Sequence, residues 1–306
     1  MKKKQKKGGI SMSEVKKGTP KRGVSVYSYC QLLGVSMTLE DCFKDIYDTG
    51  ATCFELLTSH VENYPNPSPA WVDKYWRLCE KYKLQPGEMG HWAETHLHRG
   101  PRMTDDEVLD ELIRDFKLAN LLGFTTLRTK ISCINEFCDP EEGWEKYIER
   151  ALPYAEKYNV RMCSEVHRPT TLKRKHIYDY LEFIHKTGTR HFGINVDFGT
   201  FQNKPNPGRT GEQAARDLKY LEDYSKPEDV LAVLPYAYAC HAKFNYIDEN
   251  FEEKTIPYEE VLDIMVNNGW SGFLLSEYEG PQRDDFNFLS DQLRRQHIMM
   301  SRILGY

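Results

Sequence analysis

No stretch of about 18 apolar residues occurs in the chain, which leaves no candidate for a membrane-spanning helix. The lysine-rich start has no apolar stretch after it, so it does not read as a secretory signal, and a soluble, cytoplasmic protein is expected. No Cys-x-x-Cys pair exists among the eight cysteines, and most of them sit in apolar stretches. They read as reduced core residues rather than as a disulfide framework. No glycine-rich loop follows any β-rich run, which argues against an open doubly wound sheet that binds a dinucleotide or phosphate. No segment resembles an interdomain linker.

Charge of one sign is scarce only locally. Residues 1–22 hold eight Lys and one Arg against the single Glu14, so the rest of a chain of net charge -5 is clearly acidic. An acidic body argues against a nucleic-acid groove. Residues 1–22 read as a basic, disordered tail and residues 23–306 as one catalytic domain. With 306 residues and 40% hydrophobic content, a (β/α)₈ TIM barrel of about 250 residues plus extensions fits the length.

The periodicity supports that barrel. Short β-rich runs alternate with longer amphipathic segments from Val24 onward, as repeated βα units require. The strands expected are Val24–Leu33, Cys53–Leu57, Gln85–His91, Thr126–Ile131, Arg161–His167, Phe192–Phe198, Tyr238–Tyr246 and Gly272–Tyr278. The helices expected are Leu39–Thr49, Ala70–Tyr82, Asp105–Leu122, Gly143–Tyr158, His176–Lys186, Gly211–Tyr224, Tyr258–Asn267 and Phe286–Ile303. Thr104 followed by Glu107 fits a capping box, and Gly50, Gly123, Gly188 and Gly269 suit helix ends that need positive φ. The Pro-rich pieces Tyr64–Pro69 and Lys204–Pro207 follow strands two and six, where a barrel carries its substrate loops.

Each of the last four strands ends in a residue able to bind a metal: Glu165 in Cys-Ser-Glu-Val-His, Asp197 in Asn-Val-Asp-Phe-Gly, His241 in Ala-Cys-His-Ala-Lys and Glu277 in Leu-Ser-Glu-Tyr-Glu. Taken singly, each fits a turn, a cap or a hydrogen-bonded core residue. Taken together, one per consecutive strand, they converge at a barrel mouth, where three carboxylates would repel one another without a cation. Oxygen and imidazole donors suit one divalent ion, Mn²⁺ first, with Mg²⁺, Co²⁺ or Zn²⁺ as alternatives.

Alternation along a strand puts His167 on the face of Glu165, Lys243 on that of His241 and Glu279 on that of Glu277. His167 suits a general base beside a carbonyl, and Lys243 suits developing enolate charge. A hydrogen bond to Glu165 and an ordinary ion pair are the competing roles of these two. Tyr29, His91, Trp92 and Lys130 end strands one, three and four and are expected to contact substrate, although a structural Trp and a capping Lys compete for the last two. Tyr27 shares the ambiguity of Tyr29. His96 and His98 form a tempting pair, but without a carboxylate constellation they read as surface residues.

The Glu–Asp–His–Glu order, with His-x-Lys on strand seven, resembles the xylose-isomerase-like superfamily of sugar isomerases and epimerases over nearly the whole barrel. The resemblance implies that Glu165, Asp197, His241 and Glu277 hold one divalent ion, which chelates a ketone oxygen and a neighbouring hydroxyl. Should His167 not move the proton, Glu165 or Glu277 is the alternative base. Within the superfamily, the Gly-His-Trp, Arg-Thr-Lys and Glu-Val-His segments are most similar to the alpha subunit of bacterial C-glycoside deglycosidases. That implies a 3-oxo-C-glycoside substrate, a base matching His167, elimination at the C–C bond to a flavonoid-like aglycone, and a small beta subunit as partner. Many epimerases carry a His three residues after the sixth-strand Asp; Thr200 stands there in this chain, which counts against a simple ketose 3-epimerase. A sugar (phosphate) isomerase/epimerase or inosose-type dehydratase is the alternative, and a non-enzymatic sugar-binding barrel the remote one. The DNA-cutting branch of the fold needs a His-rich multi-metal cluster and a basic groove, and neither is visible.

Overall fold

A computed structural model describes residues 16–92, 101–131 and 133–306, with only the backbone of Trp92 and Lys130. The His96–His98 pair lies outside the described residues. The eight strands are β1 Lys21–Ser25, β2 Cys53–Leu57, β3 Gln85–Trp92, β4 Thr126–Lys130, β5 Arg161–Val166, β6 Phe192–Asp197, β7 Ala237–Phe244 and β8 Phe273–Tyr278. Between and after them run α1 Leu39–Asp48, α2 Pro69–Tyr82, α3 Asp105–Leu121, α4 Trp144–Lys157, α5 Lys175–Thr187, α6 Gly211–Tyr220, α7 Tyr258–Asn267 and α8 Phe286–Leu304. Each strand pairs in parallel with its sequence neighbours, and β8 pairs with β1 to close the barrel.

Local chemistry sets the boundaries. Thr104 and Glu107 form the expected capping box at the start of α3, and Gly50, Gly123, Gly188 and Gly269 all have positive φ. Outward residues such as Val24, Phe54, Leu127, Ile194 and Leu274 are fully buried against the helix ring. Inside the barrel, apolar packing is confined to a small plug of Cys53, Ala239 and Leu275 with Phe273. A barrel interior is ordinarily filled by branched apolar layers; the layer above this plug is ionic.

Several expected boundaries shift, among them the end of α6, at Tyr220 rather than Tyr224, and both ends of β1. Lys21 and Arg22, read as tail, belong to β1, and Tyr306 donates a hydrogen bond to the Pro20 carbonyl at 2.6 Å. The first strand also stops at Ser25 rather than Leu33, because the Ser25 hydroxyl accepts from the Tyr27 N–H and starts a 3₁₀ helix, Val26–Tyr29. Among the described residues, no helix is long and apolar enough to cross a membrane.

Candidate metal centre and active site

Glu165, Asp197, His241 and Glu277 are buried, and each presents one ligand atom within 4.8 Å of the others. The parallel register brings them together: Asp197 lies opposite His241 across β6 and β7, and Lys243 lies opposite Glu277 across β7 and β8. His241 Nδ1 is 3.2 Å from Glu165 Oε1 and 2.9 Å from Glu277 Oε2. Its Nε2 points the other way, 3.4 Å from Glu55 Oε1 and 3.5 Å from Glu88 Oε2.

Glu55 and Glu88 were not foreseen, and they continue the network to the far side of the barrel. Arg128, also buried, donates from Nη1 to Glu165 Oε2 at 2.7 Å, and its Nε lies 3.1 Å from Glu55 Oε1. The Ser25 hydroxyl donates to the other Glu55 oxygen. Asn195 donates to Glu88 Oε2 at 2.6 Å and accepts from the His241 backbone N–H at 3.2 Å. Gly90 makes room for this layer: a Cβ there would lie 2.8 Å from both Arg128 Nη2 and Glu55 Oε1.

Electrostatics follow from burial and from the shortage of cations. Five carboxylates, Glu55, Glu88, Glu165, Asp197 and Glu277, face two permanent cations, Arg128 and Lys243. Burial drives the Asp197 carboxyl up to about 6, against the pull of Lys243. For Glu277 burial also pushes upward, but Lys243 and His241 outweigh it and bring the group down to about 2. For Glu165 burial again pushes upward, but Arg128 together with His241 and His167 outweighs it and holds the group well below the usual carboxylate range. The His241 imidazolium is opposed by burial yet held well above its ordinary range by Glu55 and Glu277, so it stands in for part of the missing positive charge.

This donor set fits a divalent cation. Asp197 Oδ2 and Glu277 Oε2 are buried with an ion-pair neighbour, Lys243 and His241 respectively, but without a hydrogen bond of sound geometry, and carboxylate oxygens so placed in a desolvated site accommodate further positive charge. With Nδ1 facing the four-residue cluster, His241 can ligate through that atom while Nε2–H points at Glu55 and Glu88, the arrangement that fixes a ligating imidazole.

Above the cluster opens a cavity of about 380 Å³ whose lining includes Glu165, His167, Lys243, Glu277 and Glu279. Lys243 bridges Asp197 Oδ2 at 3.1 Å and Glu279 Oε2 at 3.0 Å. Residue 167 lies just past the end of β5. Its Nδ1 is 2.7 Å from the Arg168 carbonyl, and its Nε2 is 3.2 Å from Cys138 Sγ. A carbonyl only accepts, so Nδ1 carries the proton and Nε2 presents its lone pair.

Two expected substrate contacts are corrected. Tyr29 is fully buried and its hydroxyl donates to Asp45 Oδ2 of α1 at 2.8 Å, away from the cavity. The 3₁₀ helix breaks the two-residue alternation, and Tyr27 lines the cavity instead. His91 faces α3, where Nδ1 contacts Asp115, which also accepts from the Tyr64 hydroxyl at 2.6 Å. A register shift between β2 and β3 turns Glu88 and Gly90, not His91, to the lumen. Trp92 and Lys130 end their strands as expected, but their side chains lie outside the described residues. Neither Pro-rich piece, Tyr64–Pro69 or Lys204–Pro207, contributes to the described cavity lining; Gln202 and Arg209, which flank the second, do.

A closed parallel barrel with an acidic and histidine cluster at the C-terminal strand ends defines a class of metal-competent TIM barrels. The family model for the xylose isomerase-like TIM barrel matches residues 43–297, and the chain belongs to that family. It is similar to the 3'-dehydrocarminate deglycosidase alpha subunit of a Microbacterium species, 23% identical with 94% of this chain and 96% of that protein covered. It is also similar to a C-glycoside deglycosidase alpha subunit of Arthrobacter globiformis, 25% identical with 92% of each covered. Among solved structures, D-psicose 3-epimerase with D-tagatose, from Clostridium cellulolyticum H10, superposes with a TM-score of 0.65 at 12% identity, over 93% of this chain and 99% of that one. The family is one of enzymes of the sugar isomerase/epimerase type.

Proposed function

We propose that this chain is the catalytic alpha subunit of a C-glycoside deglycosidase, a divalent-metal enzyme that acts on 3-oxo-C-glycosides and works with a small beta subunit. The observation that carries the reading is one cavity lined both by ligand-competent carboxylates and by the imidazole of His167, whose hydrogen bond from Nδ1 to the Arg168 carbonyl makes Nε2, in contact with Cys138 Sγ, the basic nitrogen. Full-length similarity to two proteins named deglycosidase alpha subunits supports it.

Glu165, Asp197, His241 and Glu277 would hold the ion, Mn²⁺ first among the candidates. When bound, such an ion polarises a carbonyl and makes the adjacent C–H more acidic. His167 Nε2 removes the proton from the carbon between the ketone and the glycosidic carbon. The electron pair released forms the sugar C=C bond as the C–C bond to the aglycone breaks, and a proton returns to the aglycone carbon. Lys243, held between Asp197 and Glu279, steadies charge that develops on the ketone oxygen. Glu279 and Tyr27 line the same cavity and would border the glycoside, with Trp92 and Lys130 as further contacts.

The ketose 3-epimerase reading lacks its second histidine. Thr200, at that position, is buried and donates to the Thr170 carbonyl at 2.7 Å, and its hydroxyl is 2.8 Å from that of Ser225. It is spent on the loop and does not line the cavity.

The test is His167→Ala, assayed on an oxidised C-glycoside with the beta subunit present. The variant should keep its metal and lose on the order of 10²–10⁴ in turnover, the contribution of a positioned base. Lowered metal content with the rate restored by excess metal would reassign His167 to holding Glu165.

A further inference from the structure

The cavity has two ends of opposite charge. Its inner end carries Glu165, Glu277 and Glu279, with Arg128 and Lys243 already paired to them; its outer wall carries Arg168, Arg209 and Arg216, from the loops after β5 and β6 and from α6. The acids near that wall do not face the cavity. Asp217 is fully buried and already saturated: it accepts from Arg168 Nη1, from Arg209 Nη1 at 3.2 Å and from the Asn206 backbone N–H at 2.6 Å. Glu136 is taken by Lys219 at 3.3 Å and by the Tyr220 hydroxyl at 3.1 Å. Arg216 is exposed and belongs to none of the ion pairs among the described residues.

Two guanidinium groups therefore share one buried carboxylate, and the third, Arg216, adds its charge beside them. Burial and the neighbouring charge of Arg209 hold Arg168 below its usual range despite its contact with Asp217. Like charges gathered on one wall of a partly desolvated cavity repel one another unless an anion joins them. The planar fork of arginine matches a carboxylate or a phosphate with two parallel hydrogen bonds. Tyr220 adds a flat surface beneath Arg168, whose guanidinium carbon lies 5.4 Å from the ring centroid.

We propose that Arg168, Arg209 and Arg216 form an anion subsite, and that the substrate carries an anionic group at the end remote from its carbonyl. Two sources supply that chemistry: a carboxylate on an aromatic aglycone, or a phosphate on a sugar. Placing the carbonyl at the inner end rests on the proposed function; the anion subsite itself does not. The asymmetry sets the orientation, since the inner cations are already paired with carboxylates whereas the outer arginines outnumber the acid they contact and attract the anionic group.

The experiment is calorimetric titration of the chelator-treated full chain with benzoate and, separately, with inorganic phosphate, repeated on Arg216→Gln and Arg209→Gln. Saturable binding of at least one probe is expected, weakened about tenfold in each variant, as the loss of a charge-assisted hydrogen bond implies. Preference for benzoate points to an acidic aglycone, and preference for phosphate to a phosphorylated sugar. Arg216 is exposed, so its variant should keep the wild-type circular dichroism spectrum. Binding of neither probe, or binding undiminished in Arg216→Gln, would overturn the subsite. Because no turnover is needed, anion binding in a chain inert towards oxidised C-glycosides would retain the subsite and strike only the proposed reaction.

Discussion

His241 presents its two ring nitrogens to two sets of carboxylates, and that division of labour organises the centre of the barrel. Nδ1 looks toward Glu165 and Glu277, while Nε2 looks toward Glu55 and Glu88. A ligating imidazole needs its other N–H anchored to keep the tautomer and the ring plane fixed. Glu55→Gln should therefore weaken Mn²⁺ binding by about 10–100-fold, the usual effect of losing such a partner. Titration of the folded variant with Mn²⁺ gives the answer, and unchanged affinity would remove Glu55 from the site. Arg128 works from the opposite side: by donating to Glu165 Oε2 it leaves Oε1 to the cluster.

The clustering of Glu165, Asp197, His241 and Glu277 was legible at the residue scale because ionisable groups at the ends of apolar strands need a common reason. Glu55, in Cys-Phe-Glu-Leu-Leu, carries the same signal one strand pair further on, as does Glu88 beside Gly90. Their convergence with His241 depends on register across the barrel, which no local pattern encodes.

Elements were read most securely where a period persists. The strand Cys53–Leu57 and the helix Tyr258–Asn267 are found with the expected bounds. Failures occur where one hydrogen bond or one register shift changes the period. At Ser25, a side-chain acceptor converts strand to 3₁₀ helix and sends Tyr29 to Asp45. At β3, a shift relative to β2 reverses the facing of His91.

The contact of α8 with the barrel carries its own prediction. His297 on α8 is buried, with Nε2 3.1 Å from the Ser276 hydroxyl and Arg22 against its other side. Burial first, and then the Arg22 charge, depress its pKa from 6.5 to about 3, so the folded protein holds it neutral. The unfolded chain takes up the proton at higher pH, so this contribution to stability is complete above pH 6.5 and is lost as pH falls toward 3. Between pH 7 and pH 5 the loss is about 2 kcal/mol. His297→Gln should flatten that part of the urea-unfolding profile, and an unchanged pH dependence would show that other groups control it.

At the scale of the whole molecule, an apolar shell outside the strands and an ionic layer inside them divide the work. Residues such as Phe54, Leu127, Ile194 and Leu274 hold the helices to the barrel, while the lumen is left to charge. That division lets a family with one closed barrel keep its fold while the groups lining the mouth decide the chemistry. The central claim is that the charge imbalance in the lumen is resolved by one divalent ion held by Glu165, Asp197, His241 and Glu277. The most direct measurement is the metal content of wild type, Glu165→Gln and Asp197→Asn after loading with Mn²⁺ and equilibrium dialysis. Wild type should retain about one equivalent and both variants much less, since each loses a charged ligand; full occupancy in both variants would contradict the site.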